Sequence, residues 1–202
     1  MDVAEHALEA CRRRFRDAGN IAYHVGDGRS LPMVADGSVD FAFSFDSLVH
    51  AEADVLAAYA GELARILAPD GAAFLHVSNM GAYARGARLA RRLPERVRRR
   101  LTIAGAIPNV FAWRAESTTG AGFAYVCERA GLCCAGLELI AWHYGRQLTD
   151  AIVIVTPHGS RWARPRVTVR NPRFMAEARA AARMAPIYAD EAWPAAPRSS
   201  ST

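Results

Sequence analysis

Gly26-Asp27-Gly28-Arg29-Ser30-Leu31-Pro32, followed by Asp36-Gly37 and then Ser38-Val39-Asp40-Phe41-Ala42-Phe43-Ser44-Phe45, is the stretch on which the fold turns. Its first segment reads as a polar turn, because Asp and Gly both tolerate tight backbone reversals. Its last segment predicts a strand with apolar residues on both faces, the pattern of a strand buried within a parallel sheet. Downstream, residues 54–67 repeat apolar positions at the helical period through Val55, Leu56, Tyr59, Leu63, Ile66 and Leu67. Pro69-Asp70-Gly71 then turns the chain into a third strand over 72–77. Upstream, 21–25 reads as a short strand. Before it, Val3, Ala7, Cys11 and Phe15 form one stripe of a helix over 3–18 that stops at Gly19-Asn20.

Farther along, residues 79–101 are strongly basic and lack strand character. A helix is predicted over 118–130, capped by Ser117 or Thr118 and stopped by Gly131. Strands over 133–142 and 150–156 follow, with a connection short enough for an antiparallel pair. A last helix is expected over 174–188. Strands alternating with helices in the first half predict a doubly wound α/β fold with a mostly parallel sheet and a C-terminal antiparallel hairpin. The expected organisation is one domain over 1–160 carrying a basic lid insertion at about 80–116. A C-terminal extension with a helix (161–193) and a disordered Pro/Ser tail (194–202) complete it.

At 202 residues, with 51% hydrophobic and 22% charged residues, the chain is long enough for one globular core without disulfides or metals. No apolar run approaches a membrane span, and Met1-Asp2 with Glu5 is no secretory n-region, so a cytoplasmic protein is expected. The formal charge is +5, yet all 25 basic residues are arginine, so arginine as such is weak evidence for a phosphate site. Cys11, Cys127, Cys133 and Cys134 make no CxxC pair, and no metal site is expected.

Four segments carry a resemblance: Met1-Asp2-Val3, Gly26 to Pro32 with Asp36 to Phe41, Ser44-Phe45-Asp46-Ser47-Leu48-Val49-His50, and Glu62-Leu63-Ala64-Arg65-Ile66-Leu67-Ala68-Pro69-Asp70-Gly71. Together they resemble the class I (Rossmann-like) methyltransferases that use S-adenosylmethionine, over residues 2–157. Within that class they are most similar to bacterial enzymes acting on sugars and other small hydroxylated metabolites. The family's first strand and glycine-rich loop do not precede Asp2, so the resemblance implies an N-terminally truncated domain. It implies S-adenosylmethionine as cofactor. Asp2 would bind the ribose hydroxyls and Val3 would pack on adenine. Asp27 and Gly28 would take the adenine edge, and Ser44 and Phe45 would lie beside them. Asp2 also suits an N-cap and Asp27 an ordinary turn.

Ligands of open α/β sheets bind at the carboxyl ends of the strands. That places His50 and Asp46 as the catalytic candidates: His50 as base toward an acceptor hydroxyl, Asp46 orienting it or touching the substrate. The plainer reading is that His50 packs the following helix. Ser78 or Asn79 is expected to face the substrate. Trp113, Arg114 and, after Trp142, His143 are the candidate substrate contacts, since a ring face beside a hydrogen-bonding group suits a sugar. Such tryptophans are more often cover residues.

The expected activity is transfer of a methyl group to a small acceptor, sugar-like or anionic. The competing readings are a non-catalytic truncated remnant and a basic module for nucleic acid or membrane surface. The arginine run lacks interleaved aromatics, which disfavours nucleic acid. A peripheral contact with anionic membrane suits a basic amphipathic segment.

Overall fold

The structure, a computed structural model, describes residues 1–111, 113–142 and 147–189. The expected tail over 194–202 lies outside the described residues.

The described residues form six α-helices and five strands. They run α1 (Glu5–Arg14), β1 (Val39–Ser44), α2 (Ala53–Ile66), β2 (Leu67–Ser78), α3 (Ala84–Ala90) and α4 (Glu95–Ile103). Then come α5 (Gly120–Arg129), β3 (Leu132–Ile140), β4 (Asp150–Pro157), β5 (Val167–Asn171) and α6 (Phe174–Ala189). The strands form one open sheet in the order β1-β2-β4-β3-β5. β1 with β2 and β3 with β5 are parallel, while β4 runs antiparallel to both β2 and β3. The fold is α/β with a mixed sheet, and the expected hairpin β3–β4 fills its centre.

One face of the sheet is covered by α2 and α5. Leu56, Ala60, Leu63 and Ile66 of α2 meet Ala73, Leu75 and Val77 of β2, Val153 and Val155 of β4, and Phe123 and Cys127 of α5. The spacing of those α2 residues is the 3.6-residue period that predicted the helix. α5 is capped by Thr119, whose side chain accepts from the Gly122 N–H at 2.9 Å, one residue beyond the expected cap. Gly120 starts that helix directly over the sheet. A Cβ there would lie 2.6 Å from the Ala151 Cβ, so only glycine permits this approach.

The structure corrects several expectations. The stretch 21–25 is not a strand: it contributes a single bridge, Val25 to Asp2, because its neighbour offers one residue of pairing. In α1 only Leu8 is buried, so the stripe of Val3, Cys11 and Phe15 does not pack inward. β1 is not buried on both faces, since Phe41 and Phe43 are 61% and 65% exposed. β1 is an edge strand, and these rings point away from the α2–α5 layer, Phe43 stacked with Phe45 and Phe74 and Phe41 tilted against Phe43. The turn at Pro69-Asp70-Gly71 lies inside a continuous β2 as a register shift. β5, absent from the sequence reading, extends the sheet beyond β3.

Candidate active site

Two neighbouring features occupy the carboxyl end of β1: an open cleft, and a buried polar cluster beside it.

The cleft, about 220 Å³, is walled by Met1, Leu31, Ala42, Phe43, Ser44, Ser47, Leu48 and Tyr59. The segments carrying Asp2 and Asp27 are joined by backbone hydrogen bonds, Asp2 N–H to the His24 carbonyl and Gly26 N–H to the Asp2 carbonyl. Gly28 has φ +77°, a left-handed conformation that favours glycine, and the Val3 side chain crowds the space a Cβ would fill. Asp27 accepts from the Ser30 and Arg29 N–H groups, both at 2.7 Å, and from the Ser30 hydroxyl. Those donors, Ser30 first, hold its carboxyl down to about 2. Burial raises the Tyr59 phenol above its usual range, and the Asp27 and Asp2 charges raise it further.

The loop beneath is pinned to α2. Arg65 donates to the carbonyls of Leu31 and Val34 and to Asp36 and Glu62, while Glu62 accepts from the Leu31 N–H. Glu62 and Arg65, whose sequence context implies only a structural helix, therefore hold the loop that follows Asp27.

Asp2 Oδ1 accepts from the Ala4 N–H at 2.8 Å, a cap-like role at the start of α1. No hydrogen bond to its Oδ2 occurs among the described residues, so a ribose hydroxyl has an acceptor there. The apolar wall of Leu31, Ala42 and Leu48 suits a heterocycle, and the residues present fit a nucleoside cofactor. Val3 is exposed beside Gly28. Ser44 lines the cleft, whereas Phe45 turns toward His76 and Trp142, with ring centroids 4.7 and 5.7 Å away.

The buried cluster begins at Asp46, whose φ of +56° is uncommon for any residue but glycine. Its N–H donates to His76 Nδ1 at 3.1 Å, so that nitrogen carries a lone pair. His76 Nε2 lies 3.6 Å from Asp150 Oδ1 and makes no hydrogen bond among the described residues. Arg114, with its side chain 7% exposed, donates from Nε to Asp150 at 2.6 Å and from a terminal nitrogen to Asp46 at 3.2 Å. Thr149 donates to the other Asp150 oxygen. A buried carboxylate and guanidinium are tolerable only when paired in this way.

Arg114 is thus occupied within the protein, between its two aspartates. Asp46 bonds Arg114, and no hydrogen bond joins it to His50 among the described residues. The His50 ring stacks on Trp113 at 4.8 Å and 11°, and Nδ1 is buried without a partner among the described residues, which leaves Nε2 as the outward nitrogen. Trp113 is largely exposed on the rim. Ser78 and Asn79 do not face a ligand: Ser78 donates to the Ala115 carbonyl, and Asn79 bonds the Leu148 carbonyl and the Gly120 N–H. His143 lies outside the described residues. His76 and Asp150, which no sequence pattern singled out as partners, are the buried members of the cluster.

Residues 1–71 match the model of a methyltransferase domain family. The first third of the chain resembles a methyltransferase. Among solved structures the chain is similar to the PH0226 protein from Pyrococcus horikoshii OT3. Identity is 20% and the TM-score 0.52, over 77% of this chain and 68% of that one. A TehB-like SAM-dependent methyltransferase from Corynebacterium glutamicum is 14% identical with a TM-score of 0.47, over 77% of this chain and 65% of that one. At 20% identity the likeness to the Pyrococcus protein shows the open α/β fold alone. No curated protein matches the sequence.

Proposed function

We propose that the chain binds S-adenosylmethionine in the β1 cleft and transfers its methyl group to a hydroxyl of a small, sugar-like acceptor. The observation carrying this reading is that the backbone hydrogen bonds between Asp2 and the His24–Gly26 stretch bring the Asp2 and Asp27 segments together beside the cleft lined by Met1, Ser44 and Tyr59, a few residues before His50. The methyltransferase-domain match over 1–71 contains every one of those residues.

When bound, S-adenosylmethionine supplies a methyl group on a positively charged sulfur, primed for attack by an oxygen lone pair. Asp2 Oδ2 would accept from a ribose hydroxyl, and Asp27, held ionised by Ser30 and Arg29, would take the adenine edge. His50 Nε2 would take the proton of the acceptor hydroxyl as that oxygen attacks the donated methyl group. Asp46, fixed by Arg114, orients that hydroxyl. The Trp113 ring, stacked on His50, offers its other face to the C–H surface of a sugar.

Calorimetric titration with S-adenosylhomocysteine tests the cofactor half. Wild type is expected to bind, His50→Ala to bind equally, and Asp2→Ala to bind roughly 10- to 100-fold more weakly, the worth of hydrogen bonds to a charged group. Turnover on a panel of hydroxylated acceptors should vanish in His50→Ala. Binding of NADH in place of S-adenosylhomocysteine, or of neither, overturns the proposal.

A further inference from the structure

We propose that α3 and α4 form a face that seats the protein on an anionic lipid bilayer. Residues 84–103 hold eight arginines and one acid, Glu95. Removing them from the chain's 25 basic and 20 acidic residues leaves 17 against 19, so the net positive charge of the molecule resides in this segment. General use of arginine in place of lysine does not explain such segregation.

The two helices repeat one exposed stripe. In α3 and its end, Arg85, Arg88, Leu89 and Arg92 share a face at i, i+3, i+4, i+7 spacing; in α4, Arg96, Arg99, Arg100 and Ile103 do the same. All eight are exposed, and Leu89 and Ile103 are each 64% exposed. The inner side of α3 is Ala87 and Ala90, both buried, so the helix lies close to the body and leaves its long side chains outside. Among the described residues none of those six arginines makes an ion pair; Arg91, paired with Glu116, is the exception in the segment. Six free guanidinium groups with aliphatic side chains between them match a surface of phosphate headgroups over hydrocarbon.

A nucleic acid would satisfy the arginines but would give Leu89 and Ile103 nothing. It also calls for free aromatic faces, and the nearby Phe111 ring is already covered by Arg98 at 4.8 Å. No helix among the described residues is long and apolar enough to cross a membrane, so the contact is a surface one. The face adjoins the candidate site. Arg91 ties α3 to Glu116, and the Gly81 N–H bonds the Thr118 carbonyl in the same loop that carries Trp113 and Arg114.

The inference does not depend on methyl transfer, because vesicle binding is read without cofactor or turnover. The full chain is sedimented with vesicles of phosphatidylcholine alone or mixed with phosphatidylglycerol, at about 0.1 M salt. Binding is expected on the mixed vesicles only, and Arg96→Gln with Arg99→Gln should weaken it by roughly fivefold per arginine. Leu89→Ser with Ile103→Ser should weaken vesicle binding while leaving retention on heparin unchanged; circular dichroism checks that both variants keep their helix. Equal binding to neutral vesicles, no binding to either, no effect of the arginine pair, or no effect of the aliphatic pair overturns it. So does tighter binding to a short RNA than to the vesicles.

Discussion

The side chains that organise the candidate site act through charge held in fixed geometry. Arg114 joins Asp46 on the loop after β1 to Asp150 at the start of β4, partners 68 and 36 residues away. Such a triad is invisible to any local pattern, which is why Arg114 reads from sequence as a substrate contact. Asp27 was legible because its turn is short and its bonding partners, Arg29 and Ser30, are within three residues. Its carboxyl is lowered to about 2 in the folded protein, from 3.8. A folded value below the unfolded one stabilises the fold above the unfolded value, and the contribution disappears as pH falls through the folded one. Asp27→Asn should therefore melt below wild type by a constant margin above about pH 5, and the margin should close toward about pH 2. A scanning fluorimetry series in pH measures it; a margin that does not change with pH would refute the role.

At the scale of elements, legibility followed burial. α2, β2 and α5 were readable because their buried residues repeat at the period of the element. β5 was not, because its residues Val167 to Arg170 are all exposed and present no inward face to mark a strand. The stretch 21–25 has strand composition, yet composition does not provide a partner, and one bridge is all it forms. Contact between α5 and the sheet depends on the missing side chain at Gly120, hemmed by Ala151, Leu137 and Leu139. Gly120→Ala should cost about 1–3 kcal/mol in urea unfolding, the usual price of overpacking, despite alanine's better helix propensity. A stabilised variant would show that α5 can slide outward freely.

Over the whole molecule the two faces of the sheet differ. α2 and α5 seal one, while the other displays Phe41, Phe43, Ile154, Val167 and Val169, each more than a third exposed. Exposed apolar area of this extent binds hydrophobic probes and promotes association. The native chain should raise the fluorescence of anilinonaphthalene sulfonate, and Phe41→Glu with Val167→Glu should diminish it at unchanged circular dichroism. An unresponsive dye would mean that this face is covered in solution. The strand order has a consequence for synthesis. β4 lies between β2 and β3 but is the next-to-last strand made. The inner edge of β2 must wait while the ribosome adds the residues from Asn79 to Pro157, on the order of ten seconds at ordinary elongation rates. Throughout that interval a nascent chain bears half a sheet with its central edge bare, so chaperone demand should peak before β4 emerges.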